Sequence, residues 1–309
     1  MLKTWIKLAG KIITIFSILF IGIAIARLDI DLSYIKSPFI FAFIFIISSI
    51  AIMGAEYILG YAWKKTLDTF SNRANSIIAT EKVYLKANIG KYLPGNVMHY
   101  VERNLFAFNL GIKQQEVLLS TLVEILGILL MAIFISVLFA FQEFQTVIIA
   151  VFQEISHWWI ILVSILFFIL LFLVLLLKKH ILKIFKAYVN IRFFKTLLII
   201  LPLYASFLLI GAVTFSLTLW CMLPRTLIQS NLYLILMAYV LAWVLGFAVP
   251  GAPGGVGVRE FVLLYLLKDI FPNDIVLTAV LVHRLITIIG DFEAYFSVLF
   301  IKRVSLNHP

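Results

Sequence analysis

Apolar residues in this chain come in long unbroken runs, not in the spaced stripes of a water-soluble helix. The runs cover residues 8–26, 39–62, 117–141, 158–177, 197–220, 231–249 and 275–301. As helices rising about 1.5 Å per residue, each is long enough to cross a hydrocarbon core of about 30 Å. Their continuous apolarity, without alternation, predicts helices and not the strands of a barrel. Composition agrees: 63% of residues are apolar and 13% are charged, against about 45–50% and about 25% in soluble chains. That balance excludes a soluble enzyme and a disordered chain. The expected fold class is an all-α polytopic membrane protein of about seven or eight spans. It forms a single transmembrane domain over 1–309, with no soluble domain.

The distribution of Lys and Arg orients the spans. Basic residues gather at the N-terminus (Lys3, Lys7, Lys11), over 63–116 (Lys64, Lys65, Arg73, Lys82, Lys86, Lys91) and over 178–196. The segment 142–157 carries Glu143 and Glu154 and no Lys or Arg. The alternation places the N-terminus, 63–116 and 178–196 inside, and 27–37 and 142–157 outside. The net charge of +10 is then accounted for by anchoring to an anionic leaflet, and nucleic acid is not an expected partner. The run from Ile12 to Ala26 leads into Arg27 and Asp29 and not into a small-residue cleavage site, so it reads as a retained span. Cys221, the single cysteine, leaves no internal disulfide or cysteine-based zinc site.

Two segments depart from the simple count. Residues 76–112 are long enough to cross, but a crossing would put the basic 178–196 loop outside. They are expected to enter from the cytoplasmic side and return, or to lie along it. Residues 250–274 contain a Pro/Gly break and a short apolar run, and with Lys302 and Arg303 inside, parity asks this segment to cross. Each segment has a Pro-Gly break, then an adjacent Arg and Glu, then an apolar stretch. The first runs Gly90-Lys91-Tyr92-Leu93-Pro94-Gly95-Asn96-Val97-Met98-His99 and on to Glu102-Arg103; the second runs Pro250-Gly251-Ala252-Pro253-Gly254-Gly255-Val256-Gly257-Val258-Arg259-Glu260.

Broken backbone at membrane depth is tolerated only where protein buries it or water reaches it. A pair of interrupted apolar segments is a pointer to a transporter's substrate site. A helix restarting after Gly95 or Gly257 presents free N–H groups and the positive end of its dipole. With Arg103 or Arg259 beside it, that end suits an anion, above all a phosphate. The plainer alternative is a pair of surface loops whose arginines meet lipid headgroups.

Ionisable residues inside spans cost a few kcal/mol unless paired or hydrated. Glu124, Arg284 and Asp291 are candidates for function on that ground. Arg284 and Asp291 share a helix face two turns apart, each expected to reach a partner on another helix. Glu56 and Glu293 read as structural residues that snorkel or lie near an interface, and His283 as a packing residue with a satisfied ring. The candidate substrate-binding set is thus Lys91, Pro94, Gly95, Asn96, His99, Glu102 and Arg103 from the first break. The second adds Pro253, Gly254, Gly255, Gly257, Arg259 and Glu260, and the spans add Glu124, Arg284 and Asp291. No catalytic, metal or cofactor site is expected.

Gly-Lys-Tyr-Leu-Pro-Gly-Asn-Val-x-His at 90–99 with Arg103, and Pro-Gly-Gly-Val-Gly-Val-Arg-Glu at 253–260, resemble the two signature stretches of the lysylphosphatidylglycerol synthase transmembrane-region family. Arg284 with Gly290 and Asp291 is similar to a third stretch, and the resemblance extends over essentially the whole chain. It implies a flippase-like module of a bacterial cytoplasmic membrane, one that in bifunctional relatives moves an aminoacylated phospholipid between leaflets. The chain differs from those relatives in lacking a soluble aminoacyl-transfer domain, which argues against lysine transfer from a charged tRNA.

The leading expectation is a translocator of an anionic lipid or lipid-linked phosphate, with Arg103 and Arg259 gripping the phosphate and Arg284 as a third contact. The alternative is a membrane scaffold for a separately encoded synthase or glycosyltransferase. An intramembrane transferase is a weaker option. No Gly-x-Ser-x-Gly, His-Glu-x-x-His or phosphate-loop motif is present, and His99 with Glu102 offers an acid–base pair without a nucleophile.

Overall fold

The structure is a computed structural model that describes residues 31–93, 97–139, 190–248, 255 and 257–300. The runs 8–26 and 158–177 lie outside the described residues, as do Pro94, Gly95, Asn96, Pro253 and Gly254. Among the described residues every regular element is helical. Four helices are long and apolar enough to cross a membrane: α1 (Pro38–Ser71), α4 (Gln114–Phe139), α5 (Ile191–Trp220) and α9 (Asn273–Leu299). The shorter helices are α2 (Ile77–Asn88), α3 (Met98–Asn109), α6 (Arg225–Ser230), α7 (Leu232–Ala248) and α8 (Val258–Leu267).

Helix α1 outruns its apolar stretch for a local reason. Beyond residue 62 it continues as a two-faced helix, burying Trp63, Leu67 and Phe70 while Lys64 pairs with Asp68 at 2.6 Å, an i,i+4 pairing that supports a helix. It begins with Ser37 before Pro38, the position where a missing N–H costs nothing, and ends at Asn72, whose φ of 51° is a left-handed stop. The side chain of Ser76 caps α2 by accepting from the Ala79 N–H, and Asn190 caps α5 by accepting from the Phe193 N–H at 3.1 Å.

Polar contacts fix which helix ends lie together. At one end, the Lys36 N–H donates to the Cys221 carbonyl at 3.2 Å. At the other, Arg192 donates to Asn72 Oδ1 at 2.6 Å and the Thr69 and Thr196 hydroxyls lie 2.8 Å apart. Helices α1 and α5 are therefore antiparallel. Arg73 donates to the Gly111 carbonyl at 3.4 Å, so the turn between α3 and α4 sits at the Asn72 end. Segment 76–112 is thus a hairpin: α2 leaves that end, packs against α3, and α3 returns to it. That agrees with the expected return, and each arm has 12 residues, about 18 Å of helix.

Segment 231–274 is the counterpart from the opposite end. Phe139, the last residue of α4, meets Tyr233 at the start of α7 with ring centroids 5.8 Å apart. Helix α8 packs back along α7. Ser49 of α1 donates to Glu293 of α9 at 3.1 Å and the Tyr57 and Ser297 hydroxyls lie 2.6 Å apart, so α9 runs parallel to α1 and sets out from the end where α7 began. At 17 and 10 residues, α7 and α8 reach only about 25 and 15 Å. Each described arm is shorter than the about 30 Å of a hydrocarbon core.

Close contact between α1 and α9 holds the frame. A Cβ on Gly290 would come within 2.7 Å of the Ser49 carbonyl oxygen and 2.8 Å of Ile52, so only glycine allows this approach. Large apolar side chains point outward along α1 and α4, including Phe39, Phe43, Leu126 and Leu130, as lipid-facing surfaces require.

Candidate functional site

The two hairpins come together with α1, α4, α5 and α9 around one cavity. Its volume available to the centre of a water is about 110 Å³, several times the roughly 10–15 Å³ that one water needs. That space admits a phosphate-sized group with water. Charged residues on its lining are Glu56, Lys91, Arg103, Glu124, Arg259, Glu260, Arg284 and Asp291. Seven of these eight belong to the candidate set read from the sequence, and His99 of that set also lines the cavity. Glu102 is buried against Gly90, outside the lining. Gly255 and Gly257 take positive φ of 76° and 83°, the left-handed region that favours glycine, and Gly257 is the cap from which α8 starts.

Three of the four cations meet carboxylates. Arg103, 1% exposed, donates to Glu124 at 2.7 Å, and Glu124 also accepts from the Tyr84 hydroxyl at 2.8 Å. The guanidinium lies 4.0 Å from the Tyr84 ring centroid, with Trp63 at 5.4 Å and Tyr100 at 5.6 Å, a cation–π cage. Arg284 pairs with Glu260 at 2.7 Å. Lys91, in the 3₁₀ turn Ile89–Tyr92, is shared by Glu56 at 3.1 Å and Asp291 at 2.8 Å. Tyr92 also donates its hydroxyl to Asp291. Burial weakens the Lys91 ammonium, but Asp291 and Glu56 more than restore it and hold it above the usual lysine range. His99 is pushed well below the usual histidine range by burial, with Arg103 and Lys91 adding to the effect, so it is a neutral ring packed on Tyr100.

Arg259 is different. Among the described residues it has no carboxylate within ion-pairing distance, and its buried Nε lacks a hydrogen-bond partner. Its guanidinium lies 5.4 Å from the Trp243 ring centroid. A Cβ at Gly246 would meet its Cγ at 2.6 Å, and one at Gly255 its Nε at 2.7 Å. Two glycines thus make a slot that aims an uncompensated cation into the cavity, where a buried donor without a partner is costly.

Several partners escaped the sequence reading. Glu56 does not snorkel: it is 3% exposed, near the middle of α1, holding Lys91. The rule that an intramembrane carboxylate is functional by default was the signal for it. Trp243 and Gly246, inside a uniformly apolar helix, carried none. Arg284 and Asp291 do reach partners on other elements, and His283 is a packed ring held by Thr214 at 2.9 Å. Compared with protein-family models, curated proteins and solved structures, the chain matches none of them.

Proposed function

We propose that this protein moves an anionic lipid, or a lipid-linked phosphate, between membrane leaflets, with the phosphate seated at Arg259. The observation that carries this reading is the uncompensated Arg259 guanidinium, aimed by glycine and tryptophan into a cavity of headgroup size. An arginine fork matches phosphate oxygens in pairs, and acyl or prenyl tails stay in the surrounding lipid. Arg284 lies on the same cavity as a second contact. Arg103, already held by Glu124, contributes deeper positive potential, and a phosphate would have to displace that carboxylate to reach it.

In this reading the two hairpins are re-entrant, one from each side of the membrane. The four long helices cross, together with the runs 8–26 and 158–177, and the N-terminus is cytoplasmic. A substrate site framed by broken segments near mid-membrane is the arrangement of many secondary transporters. The resemblance to the lysylphosphatidylglycerol synthase transmembrane region agrees with lipid handling and with a bacterial cytoplasmic membrane.

The test is leaflet exchange in proteoliposomes carrying labelled anionic phospholipids or a polyprenyl phosphate. Wild type is expected to accelerate exchange, and Arg259→Ala to lower the rate at least tenfold, the scale of losing one charge-assisted contact of about 1.5–3 kcal/mol. Exchange unaffected by Arg259→Ala in correctly inserted protein would remove the site. Absence of exchange for every lipid would favour a scaffold for a separate synthase or glycosyltransferase.

A further inference from the structure

The cavity's charges balance in number but not in place. Four cations (Lys91, Arg103, Arg259, Arg284) face four carboxylates (Glu56, Glu124, Glu260, Asp291). Two cations have one carboxylate each. Lys91 alone has two, so its cluster carries one excess negative charge if all its members are ionised. Arg259 holds the matching excess positive charge. Among the described lining residues the charges sum to zero, with the positive surplus on α8 and the negative one on Glu56 of α1 and Asp291 of α9 around Lys91.

An anion arriving at Arg259 therefore breaks the balance. It cancels the positive surplus and leaves the negative one at the Lys91 cluster uncompensated, in a site where low dielectric makes such a charge costly. One proton on the carboxylate pair restores neutrality. The geometry is ready for it: Glu56 has one oxygen on Lys91, while its other oxygen is buried without a partner. Asp291 is held by Lys91 and Tyr92 together.

We infer that the Glu56–Asp291 pair is a proton-binding site whose occupancy is linked to anion binding at Arg259, so that lipid phosphate and proton are taken up together. The inference rests on the reading of Arg259 as the anion site and adds the coupling ion to it.

The groups facing the pair are accounted for element by element. The 3₁₀ turn supplies Lys91 and Tyr92, and α2 supplies Tyr84. Helix α3 supplies His99 and Arg103, the latter committed to Glu124 of α4, and the buried carboxylate of Glu102, which lies against Gly90 of the 3₁₀ turn, outside the lining. Helix α8 supplies Arg259 and Glu260, with Arg284 and His283 on α9 itself, and α7 supplies Tyr239. The stretch of α5 that lines the cavity is apolar there, through Phe207, Leu208, Gly211 and Phe215. A proton added at Glu56 or Asp291 leaves Lys91 with one full carboxylate and removes the surplus. A proton added at Glu124 or Glu260 would instead neutralise the carboxylate that pairs with Arg103 or Arg284 among the described residues.

The experiment is titration calorimetry of the purified full chain in detergent, using dihexanoyl phosphatidylglycerol in buffers of differing ionisation heat between pH 6 and pH 9. This phosphodiester keeps one negative charge throughout, so proton uptake belongs to the protein. The expected result is uptake approaching about one proton per lipid, with affinity falling up to about tenfold per pH unit on the alkaline side, as linkage requires. Glu56→Gln should reduce the uptake to near zero and flatten the pH dependence, and Asp291→Asn provides the same test from the other helix. Binding by wild type without proton uptake at any pH would overturn the coupling while leaving the Arg259 site standing. Uptake undiminished in both variants would overturn the assignment to this pair. Failure of wild type to bind the lipid would overturn the anion site, and the coupling with it.

Discussion

A Cβ on Gly246 would lie within 2.6 Å of the Arg259 side chain, so Gly246→Ala displaces the guanidinium without removing its charge. The helix itself tolerates alanine and gains up to about 1 kcal/mol of intrinsic propensity. Affinity for a short-chain lipid phosphate should therefore fall about tenfold, as ångström-scale misplacement of a positioned group implies, while thermal unfolding is unchanged or slightly raised. Unaltered affinity would show that the slot does not position Arg259. This residue-level arrangement was half legible in the sequence. Arg259 and Glu260 stood out beside a Pro-Gly break, whereas Gly246 and Trp243 are ordinary members of an apolar run and acquire a role only when α8 folds back along α7. The arginines also looked alike in sequence, and only the placement of Glu124 and Glu260 separates Arg103 and Arg284 from Arg259.

The elements that matter most are the short ones. The 3₁₀ turn Ile89–Tyr92 is pinned to α1 and α9 through Lys91 and Tyr92, so the first hairpin's tip is held by charge at least as much as by packing. Lys91→Met would leave Glu56 and Asp291 buried and facing one another. Removing one member of a buried ion pair costs about 3–5 kcal/mol. The 24% exposure of the Lys91 side chain places this case near the lower figure. Thermal unfolding in detergent should show that loss, and adding Glu56→Gln should recover part of it. A Lys91→Met protein as stable as wild type would mean the turn is held by other contacts. From sequence, the breaks were visible in Pro, Gly and the interrupted apolar runs. What hid the second hairpin was its first arm's apolar stretch, which reads as a full span until α8 is seen packed back along α7.

At the scale of the whole molecule, the basic residues Lys64, Lys65, Arg73, Arg192 and Lys195 collect at the end where α1 closes and α5 opens. In the proposed topology that end is the cytoplasmic one, as the positive-inside rule expects. A cysteine placed at Lys113 should react with an impermeant maleimide only after cells are permeabilised, and one at Arg225 should react in intact cells. The native Cys221 is buried and can be replaced by alanine to clear the background. Labelling of both positions from one side would refute the assignment of the start of α4 and the end of α5 to opposite faces of the membrane. The helical class followed from hydropathy alone. The meeting of two hairpins did not, because it depends on contacts between residues far apart in sequence.

The charge balance of the described lining residues reaches beyond chemistry to bioenergetics. An uncompensated charge moved across the bilayer is worth about 2.3 kcal/mol for every 100 mV of membrane potential. Four positive and four negative side chains moving together through that field do no net electrical work, and neither does a monoanionic headgroup accompanied by one proton. A carrier built on this lining would reorient, empty or loaded, without regard to voltage. It would draw on the concentration gradients of lipid and proton alone, and would keep working in a cell whose membrane potential had collapsed.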